Sequence, residues 1–356
     1  MQGIQRKDIT MVNVLIVDDS ALIREYMKEV LSGDKDINVV DSVSDPYMAV
    51  KVLSKEKIDV ITLDLEMPKM DGLTFLEKLM RQRPLPVVVC SSIAEQGSQN
   101  AIKALELGAI EVITKAKLGV KDFLENEKYN LRTAVKNASK VNLNKLKEIS
   151  QDDSIKPVLS KPKHLLSQTT NKVIAIGAST GGTIVLRRIL SRLPKTNTGI
   201  IVSQHMPEGF TKQFSNSLDT ISMMDISEAT DGEKITMGSA IIARGNHHLK
   251  IERSGAYYQC QLSKDDPVNR HRPSVDVMFH SVAENVGSNA LGVLLTGMGK
   301  DGAVGLKAIQ EAGGTTIAQN EKSCVVYGMP KAAIEIGAAD HILGIDEIIE
   351  QIIQFQ

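Results

Sequence analysis

The sequence predicts an α/β protein in two blocks, each a parallel sheet covered by helices. Three observations carry this. Short apolar runs alternate with helical patterns along most of the chain, the rhythm of strands buried on both faces. A polar stretch bearing Pro157 and Pro162 interrupts that rhythm and shows no apolar period of its own. The 356 residues are too many for one ordinary core and fit two domains of common size.

The first block has strand-like runs VNVLIVDD, DVITLDLE, PLPVVVCSS and IEVITKA, with helical stretches such as SALIREYMKEVLS and NAIKALELGA between them. It occupies residues 11–120. Residues 121–170 read as a helical extension, one amphipathic helix over 121–148, followed by the proline-bearing linker. The second block, residues 171–356, alternates again through VIAIGAS, GIIVSQHM, SAIIARG, YYQCQLS, ALGVLLTG and TTIAQNE. Within it SAIIARGNHHLKIERSGAYYQCQL reads as a hairpin, which puts His247 and His248 in a turn.

Composition narrows the function. Hydrophobic residues at 42% and charged residues at 24% describe a soluble globular chain. Its apolar runs break off before the roughly 20 residues that a membrane span needs. The start, MQGIQRKDITM, lacks a secretory apolar stretch. Lys+Arg 42 against Asp+Glu 43 leaves a net charge of -1, with no basic excess to draw nucleic acid by counterion release. Cys90, Cys260 and Cys324 are scattered and form no C-x-x-C pair, as expected of reduced thiols in the cytoplasm.

In the first block, Asp18 and Asp19 close one strand, Asp64 another, Ser91 a third, and Lys115 the fourth. In an open parallel sheet these ends share one edge. Three carboxylates there repel one another unless a hard cation joins them, and oxygen ligands suit Mg²⁺. Metal and lysine would neutralise a transferred phosphoryl group while Asp64 attacks it. The stretches VDDS, DLEMPKMDG, CSS and TK resemble the response-regulator receiver family, a doubly wound (βα)5 fold of the flavodoxin-like type. The resemblance implies Asp64 as phospho-acceptor, Mg²⁺ on Asp18, Asp19, Asp64 and the backbone carbonyl of Glu66, and a switch at Ser91 and Lys115. Receivers usually carry proline after this lysine; here it is Ala116. A cis bond before a non-proline costs about 2.5–4 kcal/mol, so a trans turn is expected.

The second block offers two readings of its glycine loops. Gly297, Gly299 and Gly302 fit G-x-G-x-x-G after a strand, with Glu321 about 20 residues on, a dinucleotide fingerprint that would make the chain a nucleotide-dependent oxidoreductase. Asp301 opposes it: a carboxylate about 4 Å from a phosphate costs about 1 kcal/mol even in water. The other reading joins Ser179, His205 and Asp301, each just past the end of an expected strand. A serine hydroxyl becomes a nucleophile when an imidazole takes its proton and a carboxylate orients that imidazole. GASTG fits a strand–turn–helix elbow, with the N–H groups of Thr180 or Gly181 facing an oxyanion. The order Ser, His, Asp excludes a routine α/β-hydrolase. His247, His248, His271 and His280 lack any H-x-x-x-H spacing for a metal. Arg270, His271 and Arg272 read either as a solvated loop or as a rim for an acidic partner.

The stretches IGASTGG, QHMPEGFTKQFS, VNRHRPSVDVMFHSVA, LTGMGKDGA and IAQNEKSCVVYGMPKAA resemble the catalytic domain of the chemotaxis protein-glutamate methylesterase (CheB) family. The resemblance implies Ser179 as nucleophile, His205 as base, Asp301 as orienting carboxylate and the Met298 N–H at the oxyanion. It implies a Rossmann-like α/β domain with a β-hairpin and esterase chemistry without a cofactor. The implied substrate is the glutamate methyl esters of methyl-accepting chemoreceptors, with glutamine deamidation by the same route. A chemotaxis histidine kinase is the implied phosphodonor. A receiver tethered to an esterase further implies that phosphorylation, adding about -1.5 to -2 charges, uncovers the Ser179 cleft.

Overall fold

The computed structural model describes residues 11–67, 70–92, 94–115, 121–150 and 171–355. Ala116 and the linker 151–170 lie outside them. The chain divides into two compact units, Met1–Leu143 and Asn144–Gln356.

The first unit runs β1 (Val12–Val17), α1 (Ala21–Ser32), β2 (Ile37–Val43), α2 (Pro46–Leu53), β3 (Val60–Asp64), α3 (Gly72–Gln82), β4 (Val87–Ser91), α4 (Glu95–Glu106), β5 (Glu111–Thr114) and α5 (Lys121–Ala138). Its sheet is parallel throughout, in the order β2-β1-β3-β4-β5. β3 and β4 are buried from end to end, which is why they read as mostly apolar runs without alternation. β2 carries Asp41 and Ser42 and sits at the edge; its mixed pattern hides it in the sequence. Side-chain caps start the helices: Ser20 accepts from the Ile23 N–H, Asp45 from Met48 and Asp71 from Leu73.

The stretch after residue 120, an extension by sequence, folds as the last helix of this unit. α5 packs on β4, β5 and α1 through Leu131, Ala134, Val135 and Ala138, one stripe at helical spacing. Lys136 pairs with Asp34 at 2.6 Å, and Arg132 Nε donates to the Val30 carbonyl at 2.7 Å. The single helix expected over 121–148 is broken: α5 stops at Ala138 and α6 (Leu143–Ser150) starts afresh. Lys140 and Val141 donate back three residues and the Ser139 hydroxyl bonds the Lys136 carbonyl, so the ladder tightens and ends.

The second unit runs β6 (Val173–Ala178), α7 (Gly182–Arg192), β7 (Gly199–Gln204), α8 (Thr211–Ile221), β8 (Asp225–Glu228), β9 (Ser239–Ile242), β10 (His248–Ser254), β11 (Tyr257–Ser263), α9 (Val275–Asn285), β12 (Ala290–Leu294), α10 (Ala303–Glu311), β13 (Thr315–Gln319), α11 (Met329–Glu335), β14 (His341–Leu343) and α12 (Ile345–Gln354). Seven strands form a parallel sheet in the order β14-β13-β12-β6-β7-β9-β8. The hairpin is shorter than the sequence suggests. SAII is β9, paired in parallel with β7 and β8, and only β10 and β11 form the antiparallel pair, turning at Gly255. Burial explains the split: β9 is nearly all apolar, whereas β10 and β11 alternate, burying Leu249, Ile251, Tyr258 and Cys260. His248 therefore opens a strand and does not sit in the hairpin turn.

Strand order reverses at β6, which has β7 on one side and β12 on the other. A reversal of this kind opens a crevice beyond the strand C-termini. Ile176, fully buried in β6, is part of the sheet that holds this crevice. Ile176→Ala is expected to destabilise the second unit by about 2–5 kcal/mol, read as a lowered urea midpoint of its unfolding transition.

Candidate active site

The Ser179 loop grows out of strand register. Ala178 of β6 pairs with Gln204 of β7, and Gly177 pairs with Leu294 of β12. The ladder then continues past the strand ends. The Ser179 N–H donates to the Thr296 carbonyl at 3.0 Å, and the His205 N–H to the Ala178 carbonyl at 3.1 Å. Ser179 is thereby fixed between the two neighbouring loops. Gly181 has φ 75°, and a Cβ there would strike the Val325 side chain. Gly297 is pressed so closely on Ser179 that a Cβ would sit 2.7 Å from the serine Cβ. These glycines serve close approach, not a phosphate.

The three residues expected to meet do meet. His205 Nδ1 lies 3.0 Å from Ser179 Oγ, and His205 Nε2 lies 2.8 Å from Asp301 Oδ2. An ionised Asp301 only accepts, so Nε2 carries the hydrogen and Nδ1 turns its lone pair to the hydroxyl. Asp301 is buried, yet four further donors surround it: Ser274 Oγ at 2.8 Å, Asn269 Nδ2 at 2.7 Å, and the N–H groups of Val275 at 2.7 Å and Asp276 at 3.3 Å. Burial alone would raise its pKa; His205, Asn269 and Val275 outweigh it and hold the carboxyl well below the usual range. The dinucleotide reading fails here, because the acid within the glycine loop is committed to His205 and surrounded by donors.

Thr180 and Gly181 follow the serine and Met298 follows Gly297, which presses on it, and the N–H groups of all three donate to no acceptor among the described residues. They are the donors available to an oxyanion.

Sequence reasoning missed several residues of this site. Gln204, buried at the end of β7, donates from Nε2 to the carbonyls of both Ser179 (3.0 Å) and His205 (3.1 Å), clamping the two loops together. Thr296 Oγ1 lies 3.1 Å from the carbonyls of both Thr180 and Val326, which share its one hydrogen, and accepts from the Val326 N–H. His271 stacks on His205, ring centroids 3.7 Å apart and planes 11° from parallel. It belongs to the site, packed against His205 rather than free in a solvated loop. The adjacency of Gln204 to His205 was the available signal; nothing in VNRHRPSVD betrays a stack across more than sixty residues. His248 is structural, bonded to the Asp266 carbonyl and the Ser274 N–H.

In the first unit, Asp18, Asp19 and Asp64 bring one carboxylate oxygen each within 4.8 Å of the others, the only group of potential metal ligands of this kind among the described residues. Asp18 and Asp64 are buried; Asp19 is exposed. Lys115 Nζ lies 2.6 Å from Asp64 Oδ2 and 3.4 Å from Asp18 Oδ2. Burial raises Asp18, and it raises Asp64 to about 6 despite Lys115, with Asp18 adding repulsion. Two buried acids beside a third make a hard, anionic oxygen cluster that fits Mg²⁺. Ser91 ends β4 at the same edge, and the Glu66 N–H donates to Asp64 Oδ1 at 3.0 Å.

Comparisons with known proteins agree with this anatomy. A family model described as CheB methylesterase matches residues 174–352, and one described as response regulator receiver domain matches residues 14–119. The chain is 47% identical over 349 residues to a protein-glutamate methylesterase/protein-glutamine glutaminase of Geobacter metallireducens, covering 96% of this chain and 98% of the relative. It is 46% identical over 353 residues to a protein of the same description from Shewanella oneidensis, covering 97% and 99%. The crystal structure of the Thermotoga maritima CheB methylesterase catalytic domain matches with 41% identity and a TM-score of 0.51, covering 52% of this chain and 100% of that one.

Burial, then the nearby His205, push His271 down to about 3. A histidine whose folded pKa lies below its ordinary 6.5 contributes stability that is complete above pH 6.5 and is lost as pH falls toward 3. The loss amounts to no more than about 5 kcal/mol. His271→Phe is expected to flatten this limb, measured as the difference between variant and parent urea midpoints from pH 7 to pH 4.

Proposed function

The chain belongs to the CheB methylesterase family, with a receiver domain ahead of the esterase domain, and from that premise we propose that it hydrolyses glutamate γ-methyl esters of chemoreceptors under control of Asp64 phosphorylation. The observation that carries the chemistry is the unbroken chain Ser179 Oγ, His205 Nδ1, His205 Nε2, Asp301 Oδ2, with links of 3.0 and 2.8 Å.

In this mechanism Ser179 Oγ attacks the ester carbonyl while its proton passes to His205 Nδ1. The imidazolium is stabilised by Asp301, which keeps its charge. Negative charge on the former carbonyl oxygen is met by the N–H groups beside the serine, those of Thr180, Gly181 and Met298. Collapse expels methanol, protonated from Nδ1, and a water repeats the cycle to release the γ-carboxylate. An amide passes through the same tetrahedral geometry, so glutamine deamidation uses the same groups with ammonia leaving. No step calls for a metal.

In the receiver, Mg²⁺ on Asp18, Asp19, Asp64 and the Glu66 carbonyl would offset the charge of an incoming phosphoryl group. Asp64 is the acceptor, Lys115 pairs with the modified carboxyl, and Ser91 responds at the strand end. A chemotaxis histidine kinase is the phosphodonor in this reading. The three buried cysteine thiols suit the cytoplasm, and no described helix is long and apolar enough to cross a membrane.

Ser179→Ala is expected to lower methanol release from a methylated chemoreceptor on the order of 10⁴-fold or more with unfolding unchanged; undiminished turnover overturns the triad. Asp64→Asn is expected to abolish any stimulation of methanol release by acetyl phosphate with Mg²⁺ while leaving basal turnover in place. Stimulation equal to the parent's would exclude Asp64 as the acceptor.

A further inference from the structure

The turn that delivers His271 makes two separate contacts with the triad. Val268 and His271 exchange backbone hydrogen bonds, His271 N–H to Val268 O at 2.9 Å and Val268 N–H to His271 O at 3.2 Å. The two residues between them, Asn269 (φ 52°) and Arg270 (φ 68°), are both left-handed. That is the backbone of a type I′ turn, built here without glycine. From it Asn269 Nδ2 reaches both Asp301 Oδ1 and Asp276 Oδ2 at 2.7 Å, while His271 lies flat on the His205 ring.

We propose that His271 is a positioning residue for the esterase reaction: its ring is the platform that fixes the plane of His205, so that Nδ1 and Nε2 stay aimed at Ser179 and Asp301 together. This rests on the triad reading above. A five-membered ring tethered through one Cβ–Cγ bond has a broad torsion about that bond. The bonds to Ser179 and Asp301 restrict it, but the Ser179 bond is spent when the hydroxyl attacks. At that stage the stacked face still restrains the plane. Asn269, on the same turn, holds the other end of the system by fixing the rotamer of Asp301 and standing between two acids. One rigid turn thus sets the carboxylate and the imidazole relative to each other.

The electrostatics agree with this role. His271 is kept neutral by its burial and by the neighbouring ring, so it does not oppose the positive charge that His205 acquires. A neutral aromatic face against a developing cation is attractive. His271 has no place in the proton path, since both His205 nitrogens are taken by Ser179 and Asp301.

The test uses the full chain and methanol release from methylated chemoreceptor, comparing His271→Phe, which keeps a flat face, with His271→Leu, which fills the space without one. Expected is a loss of kcat on the order of 10- to 100-fold in the Leu variant, with KM for the receptor within twofold of the parent and the second unit's unfolding transition retained. The Phe variant is expected to recover most of kcat. Equal kcat in parent and Leu variant overturns the proposal. So does a Phe variant as impaired as the Leu variant, since a stacking platform would then not be what matters. Should Ser179→Ala itself retain turnover, the triad reading falls. If Ser179→Ala is dead while His271→Leu is fully active, only the platform is refuted.

Discussion

A buried negative charge dictates how the second unit is put together. Removing a carboxylate from water costs several kcal/mol unless donors replace the lost hydration. Asp301 meets that demand with donors from three other stretches of chain: His205 beyond β7, Asn269 on the left-handed turn, and Ser274, Val275 and Asp276 where α9 begins. The first N–H groups of a helix have no partner within it, and its N-terminus carries partial positive charge. α9 directs that end at Asp301. Asp276, a second acid at the same place, is made tolerable by Asn269 and by the Gly305 N–H at 2.7 Å. The carboxylate so densely supplied with donors is also the one bonded to His205 Nε2.

The same residue type behaves in opposite ways at the two sheet edges. Asp64 is buried beside Asp18 with one lysine and one N–H to offset the charge, and its pKa rises to about 6. Asp301 is as deeply placed, but its donors are many and its pKa falls. The difference is the supply of fixed donors. An under-supplied carboxylate cluster keeps a standing appetite for cations, and suits a site that exchanges ligands and is modified. An over-supplied carboxylate stays ionised through a catalytic cycle, and suits a group that must not take the proton itself. Both edges follow from parallel sheets whose strands end together, so the fold provides the convergence and the local donor count decides the chemistry.

Much of this was legible in the sequence because the informative residues stand next to strongly patterned runs. Ser179 and His205 each follow a wholly buried strand by one residue, as Asp18 and Asp64 follow or close theirs. The ends of such strands can be located to within a residue, and a parallel sheet brings them to one edge. What stayed hidden has a different origin. β2 and β14 lie at sheet edges, where one side is exposed and the apolar signal fades. β9 reads by sequence as part of the hairpin because four residues cannot distinguish a parallel from an antiparallel partner. The α5–α6 break depends on single hydrogen bonds at Ser139 to Val141. Gln204 and His271 act through contacts made only after folding, and no periodicity announces a side chain whose work is to hold another.

The orientation of His205 follows from the strand order. Nδ1 is the nitrogen next to the ring's attachment and so stays near the main chain, where the adjacent strand presents Ser179. β6 and β7 are direct neighbours, their ends are in register, and the short reach suffices. Asp301 comes from β12 on the far side of β6, and has to pass the Ser179 loop to reach the remote nitrogen Nε2. Three residues past β12 the loop already presses on Ser179, where a Cβ on Gly297 would sit 2.7 Å from the serine Cβ. The chain therefore travels from Leu294 through the glycine-rich turn before placing its carboxylate, and α10 starts only after that. The spacing that mimics a dinucleotide loop is the path length required to carry an acid around a serine.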